Sequence, residues 1–186
     1  MERGMERGME GGMEGGTGGS VSAPENTTFK PLKTMNTNPD NKDRQAVERL
    51  LAEGCSCVIR NGETMRSFHE RGVSDLWRLL HEEPELLHGA FVADKVVGKG
   101  AAALMAAGGV RGVFARTVSR PALDLLSEAG IPVEYERLVP NIINRAGNGI
   151  CPVESLCADA QTPEECLPRI GEFVRRMKVQ NTPTAQ

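Results

Sequence analysis

Short apolar segments alternate with helical patterns over most of this 186-residue chain, and the alternation limits the folds it can adopt. From residue 89 onward the order is strand, helix, strand, helix, strand, in the segments GAFVAD, VVGKGAAALMAAGG, VRGVFART, SRPALDLLSEAG and IPVEYERL. Helical crossovers of this kind join parallel strands. The pattern predicts a layered α/β domain with a mixed sheet.

The segments on either side complete this prediction. CSCVIRNGETMRSF predicts an antiparallel hairpin around an Asn61-Gly62 turn, and residues 162–178 predict a closing helix. DRQAVERLLAEG predicts a first helix whose apolar face contains Ala46, Val47, Leu50 and Leu51. We therefore expect an α/β fold, a three-layer sandwich with a mixed sheet.

The first 39 residues differ in composition from the rest of the chain. MERGMERGMEGGMEGG repeats a glycine-rich unit, and the stretch that follows it is polar and interrupted by prolines. Such a segment has little apolar surface to bury. We predict a disordered low-complexity tail over 1–39, a folded domain over 40–178 and a disordered C-terminus over 179–186.

Composition and charge argue against several partners. The 22 basic and 25 acidic side chains give a formal charge of -3, so the basic surface typical of nucleic-acid binding is missing. No stretch approaches the ~20 apolar residues that span a bilayer, and the N-terminus has no signal-peptide core. Five cysteines without an export signal predict reduced thiols. We expect a cytoplasmic protein that binds neither nucleic acid nor membrane, and we leave a homo-oligomer open.

Three of the five cysteines lie in NRAGNGICPVESLCADAQTPEEC, residues 144–166. Pro152 favours the first position of a helix, which makes Cys151 the N-cap and Glu154 the third helical residue. A helix N-terminus and the nearby Arg145 both favour a thiolate, so Cys151 is a candidate catalytic nucleophile or sulfur carrier. The competing interpretation is an inert capping thiol, with Glu154 opposing activation.

The cysteines do not form a recognised metal-binding pattern. Cys151, Cys157 and Cys166 are spaced C-x5-C-x8-C, which matches neither zinc ribbons nor ferredoxins. We therefore predict no metal site. Cys55 and Cys57 alternate along the first strand, which predicts that both face the same side of the core.

A second candidate site follows the strand GAFVAD, where a strand end leads into a helix through Gly98-Lys99-Gly100. Glycines let a ligand approach the backbone, free N–H groups at a helix start bind anions, and Lys99 adds positive charge. We predict ligand-binding roles for Asp94, Lys95, Gly98 and Lys99. The alternative is a tight turn with exposed lysines.

The loop before the CPVE segment supplies the remaining candidates for ligand binding, which are Asn144, Arg145, Gly149 and Glu154. Arg145 offers a planar fork for a carboxylate or a phosphate. Ligands of open α/β sheets gather at the carboxyl ends of strands, where this loop and the glycine turn would converge. The alternative is a turn before a capped helix, which needs no ligand.

The same segments carry a family resemblance through Asp94-Lys95-Val96-Val97-Gly98-Lys99, Val139-Pro140, Asn144-Arg145 and Gly149-x-Cys151-Pro152-x-Glu154. These motifs resemble those of an uncharacterised bacterial group, the domain-of-unknown-function 1893 family. The resemblance covers about residues 43–177. It implies a cytidine-deaminase-like fold, and it implies no activity.

The resemblance also directs attention to the zinc ligands of deaminases. Those enzymes use an H/C-x-E motif and a P-C-x-x-C motif, each at the start of a helix after a central strand. The corresponding segments here are VVGKGAAAL and SRPALDLL, and neither contains a cysteine, a histidine or a glutamate. We therefore expect the fold without the zinc-deaminase chemistry.

We expect the domain to be a non-catalytic binding module for a small anionic metabolite, with nucleotide-like compounds among the candidates. Two alternatives stay open: a thiol-dependent enzyme or sulfur carrier that uses Cys151, and a scaffold without a ligand. No residue pattern identifies a cofactor.

Overall fold

The computed structural model describes residues 41–70 and 73–180. Its strands are β1 (Cys57–Asn61), β2 (Thr64–Phe68), β3 (Phe91–Val97), β4 (Gly112–Ser119) and β5 (Val133–Val139). Its helices are α1 (Asn41–Ala52), α2 (Ser74–Glu82), α3 (Pro84–Leu87), α4 (Lys99–Ala107), α5 (Arg120–Glu128), α6 (Pro152–Leu156) and α7 (Pro163–Gln180). None of these described helices is both long enough and apolar enough to cross a membrane.

The described residues begin and end with a helix. Helix α1 begins at Asn41, and α7 continues two residues past the predicted boundary at 178. The predicted disordered tail, 1–39, lies outside the described residues, as do residues 181–186.

The strands form one mixed sheet in the order β2-β1-β3-β4-β5. β1 is antiparallel to both β2 and β3, whereas β3, β4 and β5 run parallel and are joined by α4 and α5. Asn61 pairs with Thr64 across the predicted turn, where Gly62 has a φ of 58°, a left-handed value that favours glycine. The α/β class, the mixed sheet and the hairpin are confirmed.

Helix α1 covers one face of the sheet, and α2 to α7 pack on the other. Ala46 and Leu50 of α1 lie in a small cluster with Phe91 and Phe114, whereas a larger cluster takes apolar residues from every other helix. The prediction for Leu51 is wrong, since this side chain is 48% exposed. Leu51 lies about 100° around the helix from Leu50, outside the narrow stripe that one helix presents to a sheet.

The first two cysteines are buried as predicted, but the prediction that they face one side is wrong. Cys55 lies in the small cluster under α1, and Cys57 lies in the large cluster. The reason is that β1 begins only at Cys57, so the regular alternation of a strand does not extend back to Cys55.

Helix α4 is the central helix of the larger layer, and all its residues from Lys99 to Met105 are buried. At Gly100, a Cβ atom would collide with the side chain of Val153 in α6. The small residues of α4 therefore allow α6 to pack directly against its first turn. This contact brings the CPVE segment to the end of β3.

Candidate functional site

The loop of residues 140–151 runs from the end of β5 to the end of β3. Its residue Ile142 lies against Gly98, which directly follows β3. The Cys151 N–H donates to the Ile142 carbonyl at 2.7 Å, and Ile143 forms an antiparallel bridge with Ile150. The loop thus places α6 at the edge where the parallel strands end, which we call the carboxyl edge.

Glu154 is the third residue of α6, as predicted, but its carboxylate caps a different helix. Oε2 accepts a hydrogen bond from the backbone N–H of Lys99 at 2.7 Å, and Oε1 accepts one from Ile142 N–H at 3.4 Å. The side chain is buried, and a Cβ on Gly98 would collide with the carboxylate. The start of α4 therefore holds a buried anion that belongs to the chain itself.

The side chain of Lys99 points away from solvent and into the large layer. Its Nζ donates to the carbonyl of Ala158 at 3.0 Å and to that of Ala160 at 2.6 Å. These carbonyls follow the end of α6, so Lys99 ties the segment after α6 to the start of α4. The alternative of a turn with exposed lysines is therefore wrong for Lys99, which is buried, while Lys95 is half-buried.

Cys151 is the N-cap of α6, with Pro152 at the first helical position, as the sequence predicts. Its thiol makes no capping hydrogen bond. It is half-buried, whereas the other four cysteines are buried. Helix α6 is only five residues long, so its dipole is small compared with that of a full-length helix.

The loop ahead of Cys151 is organised by Asn144. Its N–H donates to the Gly149 carbonyl at 2.8 Å, and its side-chain amide donates to the Asn148 side-chain oxygen at 2.9 Å. Arg145, the next residue, is exposed and has no ion pair among the described residues. Asn144 and Gly149 therefore shape the loop, and Arg145 is the member that faces solvent.

Asp94 lies in the large layer beside Cys57, its partner across the β1–β3 pairing. Its Oδ1 accepts the Val96 N–H at 2.8 Å, and the carboxylate also accepts the Cys57 thiol. Burial raises the pKa of Asp94 to about 7, against these two hydrogen bonds, and the charge of Asp75 adds to the rise. Burial and the Asp94 charge raise the pKa of Cys57 as well.

The structure thus brings together some of the predicted site residues and separates others. Glu154, Gly98 and Lys99 meet at the start of α4, while Asn144, Gly149 and Arg145 form the neighbouring loop. Asp94 lies in the core with a partner that the sequence did not suggest. The register between β1 and β3 pairs these residues, and no local pattern signals the pairing of two strands separated by two helices.

Two further features bear on ligands. A depression of about 250 Å³ lies between the end of α5 and the start of α7, and its lining includes Leu125, Ala129 and Pro163. Within residues 41–70 and 73–180, no group of three or more histidine, cysteine or acidic side chains is arranged to hold a metal ion.

Comparison with known proteins identifies the same family that the motifs resemble. A family model described as TM1506, domain of unknown function (DUF1893), matches residues 45–174. The crystal structure of a DUF1893 family protein, TM1506 from Thermotoga maritima, is similar with a TM-score of 0.65 and 26% sequence identity, and the match covers 70% of this chain and 88% of that one. A comparison with curated proteins gives no match.

Proposed function

Since the chain belongs to the DUF1893 family, whose description assigns no activity, we propose from the geometry of the carboxyl edge that it is a binding module for a small anionic metabolite. The supporting observation is the Glu154 carboxylate, which is buried and held by backbone N–H groups of Lys99 and Ile142. No cation pairs with Glu154 in the part of the chain that the structure describes, and the N–H groups at a helix start bind anions.

The ligand would lie on the solvent side of Glu154. The Glu154 carboxylate already occupies the N–H group at the start of α4, and the Lys99 ammonium already binds the carbonyls after α6. Arg145 is exposed on the loop and Lys95 is half-buried on β3, so both can offer positive charge to a ligand in solvent. Arg145 would bind a carboxylate or phosphate through its planar fork. Asn144 and Gly149 hold the loop in shape, and Gly98 leaves room for Glu154.

We also propose that the fold is cytidine-deaminase-like. The strand order β2-β1-β3-β4-β5, with an antiparallel β1 next to three parallel strands, supports this proposal. Nucleotide-like compounds are therefore the first ligands to test. This last step rests on analogy of fold, which by itself assigns no function.

A thermal-shift screen of the full chain tests the binding proposal, with nucleotides, sugar phosphates and dicarboxylates as probes. A ligand at a hundred times its Kd stabilises the folded state by about 2.7 kcal/mol, a shift in Tm on the order of 5–10 °C for a domain of this size. We expect at least one probe to give such a shift, and Arg145→Ala to remove most of it.

Arg175→Ala is the matched control, because Arg175 is also an exposed arginine but lies near the far end of α7. The control should keep the full shift. A panel without any shift, or a shift that Arg145→Ala and Lys95→Ala both leave intact, would contradict binding at the carboxyl edge.

The second candidate function, a thiol-dependent enzyme or sulfur carrier, is favoured by one observation: Cys151 alone among the five cysteines is half-buried rather than buried. Accessibility and reactivity must be separated, however, because an inert exposed thiol also alkylates. The rate of Cys151 alkylation at pH 7 should therefore be compared between the native chain and the chain unfolded in urea.

An activated thiolate alkylates faster in the native chain than in the unfolded one, since a lowered pKa raises the thiolate fraction. A structural cap alkylates more slowly in the native chain. Peptide mapping assigns the label to Cys151, and the four buried cysteines serve as internal controls. Slower native labelling would exclude the thiol-dependent function.

A further inference from the structure

The end of α6 and the start of α7 bring two cysteines together in the core. Cys157 is the C-terminal cap of α6, and Cys166 is the fourth residue of α7. Neither side chain has exposed surface, and both belong to the large cluster. The segments that carry them are in contact, because Arg169, one turn after Cys166, donates to the carbonyl of Leu156, the residue before Cys157. Each thiol shifts the pKa of the other, and both cysteines are free. The two sulfurs are therefore neighbours without being bonded.

Two cations hold the segment that connects these cysteines. Lys99 Nζ donates to the carbonyls of Ala158 and Ala160, and Arg169 Nη1 donates to the carbonyl of Leu156 at 2.8 Å. Arg169 also pairs with Asp159 in the same segment. A buried ammonium and a guanidinium thus hold the backbone directly before and after Cys157.

The surroundings distinguish the two sulfurs. The neighbouring Cys157 thiol lowers the pKa of Cys166 against the effect of burial, and the positive charges of Lys99 and Arg169 lower the pKa of both thiols. The neighbouring Cys166 thiol, together with burial, raises the pKa of Cys157. Cys166 also lies in the first turn of an 18-residue helix, whose N-terminus favours a thiolate. Cys166 is therefore the nucleophile of the pair, and Cys157 is the thiol that keeps its proton.

We propose that Cys157 and Cys166 form a redox-active pair that hydroperoxides oxidise to a disulfide linking α6 to α7. Nothing in this proposal depends on ligand binding at the carboxyl edge or on Cys151. The substrate class is a small hydroperoxide, with hydrogen peroxide as the simplest member.

The oxidation transfers two electrons from the two thiols to hydrogen peroxide and releases two water molecules. The Cys166 thiolate attacks one oxygen of hydrogen peroxide, the O–O bond breaks, and the released hydroxide takes a proton to become water. The product on Cys166 is a sulfenic acid. Cys157 then gives up its proton and attacks the Cys166 sulfur, so that an S–S bond forms, the S–O bond breaks and a second water leaves. A dithiol reductant restores both thiols.

Access to the buried sulfurs runs through the segment that the two cations hold. Ala158, Asp159 and Gln161 of this segment are exposed, whereas Cys157 and Cys166 are buried. The proposal therefore requires a brief opening of the segment for hydrogen peroxide to reach the sulfurs. We therefore expect oxidation to be slower than that of an exposed thiolate, yet specific for this pair because the partner sulfur is already in contact.

The test treats the full, reduced chain with hydrogen peroxide under native conditions and then blocks the remaining thiols with a maleimide in denaturant. We expect the oxidised chain to lose two of its five alkylatable thiols. Peptide mapping should assign the loss to a Cys157–Cys166 disulfide, with a mass decrease of about 2 Da that dithiothreitol reverses. All five thiols left intact, or a disulfide between another pair, would overturn the proposal.

Three variants sharpen this result. Cys151→Ser removes the most accessible thiol and should form the disulfide to the same extent. This result would exclude a route in which peroxide first oxidises Cys151 and Cys151 then oxidises the pair. In Cys157→Ser, Cys166 should accumulate a sulfenic acid that dimedone traps, whereas Cys166→Ser should trap far less at Cys157. Equal trapping in these two variants would contradict the assignment of Cys166 as the nucleophile. The wild-type peptide map decides the pairing even where a variant does not fold.

Discussion

The two faces of the sheet each bury one aspartate, and they surround its charge differently. Under α1, Asp43 accepts hydrogen bonds from Arg60 Nε at 2.8 Å and from Arg111 Nη2 at 2.6 Å. On the opposite face, Asp94 accepts the Val96 N–H and the Cys57 thiol, and no cation pairs with it among the described residues.

The difference follows from what covers each face. Among the described residues a single helix, α1, covers one side, and the Asp43 ion pairs join it to β1 and to Arg111 just before β4. Six helices cover the other side and exclude water from Asp94, so that its pKa rises to about 7. Asp43 therefore forms an ionic link between α1 and the sheet, and Asp94 changes its charge near neutral pH.

The largest expected effect is that of Asp43→Ala, which breaks the ionic link. Removing the carboxylate breaks the buried ion pair with Arg60 and the pair with Arg111, and breaking a buried ion pair costs about 3–5 kcal/mol of the free energy of unfolding. Urea denaturation followed by circular dichroism measures it. Asp124→Ala, at an exposed aspartate of α5, is the control and should change stability by about 0.5 kcal/mol or less. Equal losses in the two variants would show that the Asp43 link is not structural.

The next effect concerns Asp94 and depends on pH. The pKa of Asp94 is raised from 3.8 to about 7 in the folded state, so the folded state binds this proton more tightly than the unfolded state does. Its contribution to stability is therefore present below pH 4 and is lost as pH rises to about 7, by about 4 kcal/mol at about 1.36 kcal/mol per pH unit.

Asp94→Asn tests this prediction, because asparagine keeps an acceptor for the Val96 N–H but does not titrate. The difference in unfolding free energy between variant and wild type should move in favour of the variant from pH 4 to pH 7 and level off above. Urea titrations at several pH values measure it, and other titrating groups cancel in the difference. A difference that stays constant with pH would show that Asp94 is not buried as the structure has it.

The smallest expected effect is that of Glu154→Gln, which extends the comparison to a carboxylate held by backbone donors. Glutamine keeps one acceptor but loses the charge that the start of α4 favours, at a cost of about 1–2 kcal/mol. Glu164→Gln is the matched control, since Glu164 also lies in the first turn of a helix but is exposed. The free energies of unfolding of the two variants, measured by urea denaturation, should differ by about 1 kcal/mol. Identical values would show that Glu154 does not cap α4.

Much of the fold was predictable because its signals are local. The crossovers from β3 to β5, the Asn61-Gly62 turn and the N-cap position of Cys151 all follow from short-range patterns, and the structure confirms them. The two failures concern packing rather than element type. Leu51 was assigned to a face that one helix does not bury, and Cys55 was assigned to a strand that begins two residues later.

The candidate site was less predictable, because its contacts join distant parts of the chain. The sequence predicts the place of Glu154 at the third position of α6, but it does not indicate that the carboxylate caps α4. Its actual donor, the Lys99 N–H, is 55 residues away, and the Lys99 ammonium binds carbonyls 59 and 61 residues away. The ligand-binding roles of these residues and of Arg145 stay predictions for the thermal-shift screen.

The sequence by itself determined the order of the helices and strands, the hairpin turn and the start of α6, because backbone preferences and apolar periodicity act over a few residues. The tertiary structure alone decided which carboxylate caps α4, which buried aspartate pairs with arginines and which two cysteines lie close together. These contacts depend on how α6 and α7 pack against α4 and on the register of β1 with β3, and both are set by the burial of the whole core.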